Sequence, residues 1–401
     1  MLTQNFFIQN RQKLREKISP GGLVVITAQS LLQRSADTTY PFRQESNFFY
    51  LTGVEIPDVV LVMQDREEFL IIPKRSEVET IFGGQINRDE IAKTSGIHEV
   101  LDFKAGWERY KKMQQGRKNI YTLYPAPAKV SGIDSFYTNP ARRGLIKKLK
   151  RLTTSAKFQD LRPQLVQLRQ VKGLEEVATL HKAIEVTAEG FVATHKTLQN
   201  NTTEQAIEAI FDATFKTHLA RHGYQPIVAA ADRACILHYT QNNQVINTTD
   251  LCLLDIGAEF NNYSADISRT YVSNPSPRQK AVLDAVKHVQ DQAIAMLAPG
   301  MQWKDYARSV EEVMGQALVE LGLITQVSQK NIRKYFPHAI SHSLGLDVHD
   351  VCEYVDIKEH MIITVEPGIY IPEEGIGVRI EDNVLITTAG AQNLSEMIPY
   401  Y

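Results

Sequence analysis

The chain has 401 residues, enough for two or three domains at roughly 100–200 residues each. Hydrophobic residues make up 43% and charged residues 22%, which excludes an extended disordered chain, and no block rich in Ser, Gln or Pro marks a long tail. A net charge of −2 excludes any general electrostatic pull toward nucleic acid or an anionic membrane.

The start, Met1 to Arg11, lacks a basic stretch followed by a long apolar one, so it does not read as a secretory signal. The longest apolar runs, Leu23–Ala28 and Val59–Met63, are strand-sized and too short to span a membrane. Cys235, Cys252 and Cys352 are too few and too scattered for a disulfide framework. Together these features predict a cytoplasmic protein. A helix-like stretch, Gln9–Lys17, then alternates with strand candidates Leu23–Thr27, Val59–Met63 and Phe69–Ile72, a mixed α/β pattern without a catalytic constellation. A basic run, Arg142–Arg143, Lys147–Lys148, Lys150 and Arg151, reads as a solvated helix face. Pro163 closes this region. Beyond it Val177, Leu180, Ile184, Ala188, Phe191 and Leu198 share one face of a long helix. The domain boundary falls within 163–173, giving an N-terminal domain over 1–168 and a second domain over 169–401.

The second domain states one plan twice. Helices over Leu174–Gln199 and from Thr203 to about His222 precede strands, and helices marked by Val282–Leu297 and by Tyr306–Leu321 precede strands again. Two matching halves, each ending in a hairpin, would meet about a pseudo-twofold axis. In the first hairpin, Asn261-Asn262 supply a two-residue turn that demands positive φ. Centring the turn there sets Asp255 opposite Ser268 with Asp266 as its diagonal neighbour. In the second, a turn centred on Glu373-Glu374 sets Glu366 opposite Glu381. A lone Asp or Glu is most often a surface residue. Asp255, however, ends the apolar run Leu251–Leu254, and Glu366 follows Ile362–Val365, so both belong near the core. Like charges 4 Å apart repel by about 4 kcal/mol at an effective dielectric of 20, so converging buried acids need protons or cations. The segment 337–350 adds His338, His342 and His349, and imidazole among carboxylates suits a transition-metal ion better than calcium.

With these residues assembled, the chain resembles the pita-bread metallopeptidases, the family that includes methionine aminopeptidase, Xaa-Pro aminopeptidase and prolidase. The family pattern of Asp, Asp, His, Glu, Glu is matched in order by Asp255 in Leu-Asp-Ile-Gly, Asp266 in Ala-Asp-Ile-Ser-Arg-Thr, His342 in Ser-His-Ser-Leu-Gly, Glu366 in Glu-Pro-Gly-Ile-Tyr and Glu381 in Arg-Ile-Glu-Asp-Asn. His238 in Ile-Leu-His-Tyr-Thr, His338 and His349 match the extra histidines that the proline-specific branch places around the scissile bond. Upstream, the stretch 34–44 and Tyr50-Leu51-Thr52-Gly53 look like the N-terminal domain of the Xaa-Pro aminopeptidase branch.

The resemblance implies an α/β N-terminal domain followed by an α+β pita-bread catalytic domain with an internal pseudo-twofold repeat. It implies a two-metal aminopeptidase acting on peptides with proline in the second position, its cofactors two divalent ions, with Mn(II) the usual metal of the branch. Asp255, Asp266, His342, Glu366 and Glu381 would be the ligands of a site in which a bridging water attacks the carbonyl before proline. Glu366 would also shuttle the proton, His238, His338 and His349 would surround the scissile bond, and Arg379 and Asp382 would hold the carboxylates in place. The N-terminal domain would restrict the cleft and build a homodimer or homotetramer. Two features depart from the branch: Ile81 stands where an aromatic is expected, and Ala229–Ala234 replaces a Gly-rich stretch. Prolidase is the alternative, disfavoured because only Ile369–Val378 separates Gly368 from Arg379. A non-catalytic pita-bread binding module is disfavoured because all five ligand positions are filled.

Overall fold

The computed structural model describes residues 2–123, 140–153 and 155–400. They divide into two compact units, Leu2–Leu168 and Arg169–Tyr401.

In the first unit the Thr3 side chain accepts a hydrogen bond from Phe6 N and starts a helix over Gln4–Glu16, five residues before the sequence reading placed it. Leu23–Thr27 (β1) is a run of apolar and β-branched residues buried along its whole length. Val60–Gln64 (β2), Glu67–Ile71 (β3), Val100–Leu101 (β4), Asn119–Thr122 (β5) and Lys157–Asp160 (β6) complete a mixed sheet in the order β4-β3-β2-β1-β5-β6. Its core gathers Leu23, Val25, Val62, Phe69, Trp107 and Ile120. The basic run lies on a helix over Pro140–Leu152, where Arg142 is not part of a solvated face: it is buried and paired with Glu45 at 3.1 Å. Lys148 lies over the rings of Phe103 and Trp107.

The second unit opens with two helices, Leu174–Leu198 (α1) and Glu204–Thr217 (α2). The α2 helix stops short of the expected His222 because Leu219 turns left-handed (φ 56°) and Ala220 N donates back to Phe215 O at 2.9 Å. The matching pair is Pro277–Met296 (α3), entered through a capping box of Ser276 and Gln279 with Pro277 in the first turn, and Trp303–Glu320 (α4). Among the described residues, no helix is long and apolar enough to cross a membrane.

Strands of the first half are Ile227–Ala230 (β7), Cys252–Asp255 (β8), Ala258–Phe260 (β9), Tyr263–Ser264 (β10) and Ser268–Tyr271 (β11). Those of the second are Ile362–Val365 (β12), Gly368–Ile371 (β13), Ile376–Arg379 (β14), Asp382–Thr387 (β15) and Gly390–Asn393 (β16). Each half has a three-stranded sheet, β7-β8-β11 or β12-β15-β16, continued by a hairpin tip, β9-β10 or β13-β14. Asn261 (φ 48°) and Asn262 (φ 64°) both take the left-handed turn conformation, and Asp255 pairs with Ser268 as expected.

The second hairpin holds one register on both sides of a gap, pairing Val365 with Asp382 and Gly368 with Arg379. Glu366 and Glu381 lie in that gap and do not bond to each other: Glu366 N donates to Ile340 O at 2.9 Å and Glu381 N to Ser268 O at 3.0 Å. Asp266 lies in the corresponding gap of the first hairpin, its N donating to Asn383 Oδ1 at 3.2 Å. Gly257 lets the strands pinch there, since a Cβ at that position would lie 1.8 Å from Ala265 O. Freed from their own ladders, the two hairpins bond to each other. Thr270 Oγ1 donates to Arg379 O at 3.0 Å, and Ser268 forms a bridge with Glu381.

Candidate active site

Asp255 at the end of β8, and Asp266, Glu366 and Glu381 in the gaps of the two ladders, line a cavity of about 340 Å³. His238, His338, His342, His349 and Arg379 line the same cavity, with Leu237, Ala339 and Tyr354 as its less polar side. Ligand atoms of Asp266, His342 and Glu381 all lie within 4.8 Å of one another. His342 Nε2 is 3.3 Å from Asp266 Oδ2 and 3.5 Å from Glu366 Oε1. Its Nδ1 lies 3.1 Å from Ser343 O, which keeps a hydrogen on Nδ1 and aims Nε2 at the acids. His349 meets the His342 ring edge-on at 4.3 Å between centroids. His338 Nδ1 is 3.4 Å from Glu366 Oε2, and its Nε2 is 2.9 Å from Tyr370 Oη. His238 is exposed on the cavity wall.

Arg379 joins three of these groups. It donates to Asp255 Oδ2 at 2.6 Å, Ser268 Oγ at 2.9 Å and Tyr370 Oη at 2.9 Å. Asp382, next along the chain to Glu381, faces the other side of the strand. It accepts from Arg269 at 2.6 Å, Ser395 Oγ at 2.7 Å and Asn393 at 3.0 Å. Arg269 in turn donates to Glu381 O at 2.8 Å, so Asp382 reaches the acid cluster at one remove. Four contacts were not legible in the sequence as parts of the site. Tyr224 Oη donates to Asp255 Oδ1 at 2.7 Å, Ser268 Oγ to Glu381 Oε2 at 2.7 Å, and Thr364 Oγ1 to Glu366 Oε1 at 3.1 Å. The fourth is Tyr370, which links His338 to Arg379. Ser268 carried a signal as the cross-strand partner of Asp255, and Tyr370 as the last residue of the Glu-Pro-Gly-Ile-Tyr stretch.

The electrostatics are those of crowded, buried acids. Burial and the negative charges of Asp266, Glu366 and Asp255 push Glu381 well above the usual carboxylate range. Burial also raises Asp255, and the charge of Asp266 adds to this against the pull of Arg379. Burial opposes charge on His342, but its hydrogen bond to Asp266 and the charges of Glu366 and Asp266 prevail and push it up to about 9. Glu366 goes the other way: burial is outweighed by His338, His342 and Arg379, which hold it below its ordinary value. Four carboxylates and an inward-facing imidazole, with Arg379 donating to one carboxylate alone, form a donor set that suits a divalent transition-metal ion.

Comparison with known proteins fits this geometry. The model of metallopeptidase family M24 matches residues 178–388, and that of the aminopeptidase P N-terminal domain matches residues 7–121. The chain is 32% identical to a Xaa-Pro aminopeptidase of Haemophilus influenzae, over 99% of this chain and 95% of the relative. It is 31% identical to the Xaa-Pro aminopeptidase of Escherichia coli, over 99% of this chain and 96% of the relative. Among solved structures, Escherichia coli aminopeptidase P with the inhibitor Pro-Leu superposes with a TM-score of 0.88 at 30% identity, covering 100% of this chain and 96% of that one. Proline aminopeptidase P II from Yersinia pestis gives 0.87 at 31% identity, covering 100% and 98%. The chain therefore belongs to metallopeptidase family M24, in its aminopeptidase P branch.

Proposed function

We propose that this metallopeptidase is a Xaa-Pro aminopeptidase, hydrolysing the bond between an N-terminal residue and a following proline. The observation that carries the reading is the meeting of four acids and His342 in one cavity, in a chain matching named Xaa-Pro aminopeptidases almost end to end. Asp255, Asp266, His342, Glu366 and Glu381 are the residues that would hold two divalent ions. When bound, such ions lower the pKa of a water toward 7 and polarise the scissile carbonyl. Mn(II) is our assignment for the metal; an Escherichia coli aminopeptidase P has been solved in a zinc-substituted form with product.

The chain's own groups divide the remaining work. Glu366, kept anionic by the positive charges around it, takes a proton from the attacking water and delivers it to the prolyl nitrogen, which has none of its own in the intact bond. His238 and His349 donate hydrogen bonds to the carbonyl oxygen as it gains negative charge. His338 is oriented by Tyr370, and Arg379 holds Asp255 and Tyr370 in a fixed fork. Asp382 braces Arg269 behind Glu381.

We assign the N-terminal unit to restricting access by longer or folded chains and to subunit association as a homodimer or homotetramer. Ile81 (79% exposed) and Phe82 (87% exposed) support an association surface there. Light scattering at micromolar concentration should give at least twice the 45.3 kDa chain mass; a fully active monomer would contradict it. Three free cysteines fit a reducing compartment, and we place the protein in the cytoplasm.

A substrate comparison tests the activity. Xaa-Pro-Xaa tripeptides and longer peptides should lose their first residue with kcat/KM above that for Xaa-Pro dipeptides, and Xaa-Ala-Xaa analogues should be poor substrates. Mass spectrometry reads the released residue directly. Cleavage of dipeptides alone would make the protein a prolidase.

A further inference from the structure

The loop from Ala230 to Gln244 begins and ends on a single side chain. Glu204 is the first residue of α2, directly after its cap Thr203, and is fully buried. Its Oε1 accepts from Ala230 N at 3.1 Å and Arg233 Nε at 2.9 Å. Its Oε2 accepts from Tyr239 Oη at 2.8 Å and Gln244 N at 3.0 Å. A carboxylate has about four lone-pair sites, so all are taken. One helical turn on, Glu208 accepts from Asn242 Nδ2 at 2.8 Å, and Asn242 also accepts from Val228 N at 3.0 Å. The same face of α2 therefore grips both ends of the loop and its returning limb.

His238 sits at the tip of that loop. Tyr239 N donates to Ile236 O at 3.1 Å, closing a turn whose central residues are Leu237 and His238, and both line the cavity of the acids. The residue next to His238 is thus tied by its phenol to Glu204. From the opposite side the loop leans on the second hairpin. Cys235 Sγ lies 3.3 Å from Ile376 O, and a Cβ at Gly377 would lie 2.4 Å from the backbone of Ala234. His238 is exposed, so its place depends on the turn that carries it.

We propose that Glu204 is a positioning residue for peptide hydrolysis, setting the turn that presents His238 to the substrate; this rests on the reading that His238 contacts the substrate. The carboxylate is needed because it serves four donors at once. Glu204→Gln keeps the size but turns one oxygen into an NH₂ group that faces two donors, so two of the four hydrogen bonds are lost and Arg233 keeps only the exposed Asp232, at 3.4 Å, as counter-charge. Misplacing a reacting group by about 1 Å can cost on the order of 10²-fold in rate.

The test is a four-member cycle on the metal-loaded, full-length protein: wild type, Glu204→Gln, His238→Ala and the double variant, assayed on a Xaa-Pro-Xaa tripeptide at matched metal content. Glu204→Gln should lower kcat/KM by up to about 10²-fold, by no more than His238→Ala, and divide the loss between kcat and KM as His238→Ala does. In the His238→Ala background it should cost less than about threefold more, because its effect runs through the missing ring. The same full loss in both backgrounds would overturn the proposal, since a general structural defect does not depend on His238. So would a Glu204→Gln variant within twofold of wild type while His238→Ala is impaired. If His238→Ala itself matches wild type, the substrate role of His238 falls and the proposal with it. Should Glu204→Gln fail to fold, Tyr239→Phe removes one of the four hydrogen bonds at constant packing, and the same coupling to His238→Ala is expected of it.

Discussion

In the proposed mechanism Glu366 has two duties in one carboxylate, ligand and proton carrier. Glu366→Gln keeps its shape and its bond from Thr364 while removing the basic oxygen, so kcat should fall by at least about 10²-fold. Metal analysis beside the kinetics separates the two duties, and a metal-loaded variant with near-normal kcat would remove the proton-carrying role. Asp255 and Glu366 were legible because each ends an apolar run that belongs in a strand, and Asp266 and Glu381 because the turn register sets them beside those two. Tyr224 and Arg269 were not. Tyr224 reaches Asp255 from 31 positions upstream and Arg269 reaches Asp382 across 113; separations of that kind leave no local pattern. Asp382 shows the related limit of strand alternation. Being adjacent to Glu381 places it on the opposite face, so its contact with the acids can only be indirect.

Among elements, the hairpins were the most legible, because Asn261-Asn262 in one and Glu373-Glu374 in the other centre the turn, and the centre fixes every pair after it. Helix ends were less so. Gln4 begins the first helix through a cap that the apolar period does not reveal, and α2 ends at a left-handed Leu219 where no glycine signals a stop. That first helix is tied to β3 by one ion cluster. Arg11, fully buried, donates to Glu68 through Nε and a terminal nitrogen, both at 2.9 Å, and to Leu51 O at 2.7 Å, while Arg15 adds a second pair. Burial pushes the Glu68 carboxyl up, but the hydrogen bonds and charges of Arg11 and Arg15 outweigh it and hold the group below its ordinary value of 4.5. A depressed acid contributes stability that is present above the unfolded value and lost as pH falls through the folded one. Glu68→Gln should therefore cost the N-terminal unit about 1.5–3 kcal/mol at pH 7, with the penalty shrinking as pH falls below 4.5. Denaturant titrations of both proteins at neutral and acid pH check this; an equal penalty at both would show that the ion cluster is not its source.

For the whole molecule, the acids join two halves that are distant in sequence, Asp255 and Asp266 from one hairpin and Glu366 and Glu381 from the other. A cation held among them would relieve the repulsion that raises Glu381. Stripping metal with a chelator should abolish peptidase activity and lower the melting temperature, and Mn(II) should restore both. Ligand at a hundredfold its Kd stabilises by about 2.7 kcal/mol. Undiminished activity in metal-free protein would contradict the assignment. The pseudo-twofold plan also bears on direction. The four acids respect it, two from each hairpin, but His342 lies outside both, and Arg379 grips Asp255 without a counterpart in the other half. A cradle with true twofold symmetry would accept a peptide equally well in either sense. Here the imidazole of His342 meets Asp266 and Glu366 while the guanidinium of Arg379 holds Asp255, so the points where the repeat is broken are what deny the cradle that symmetry.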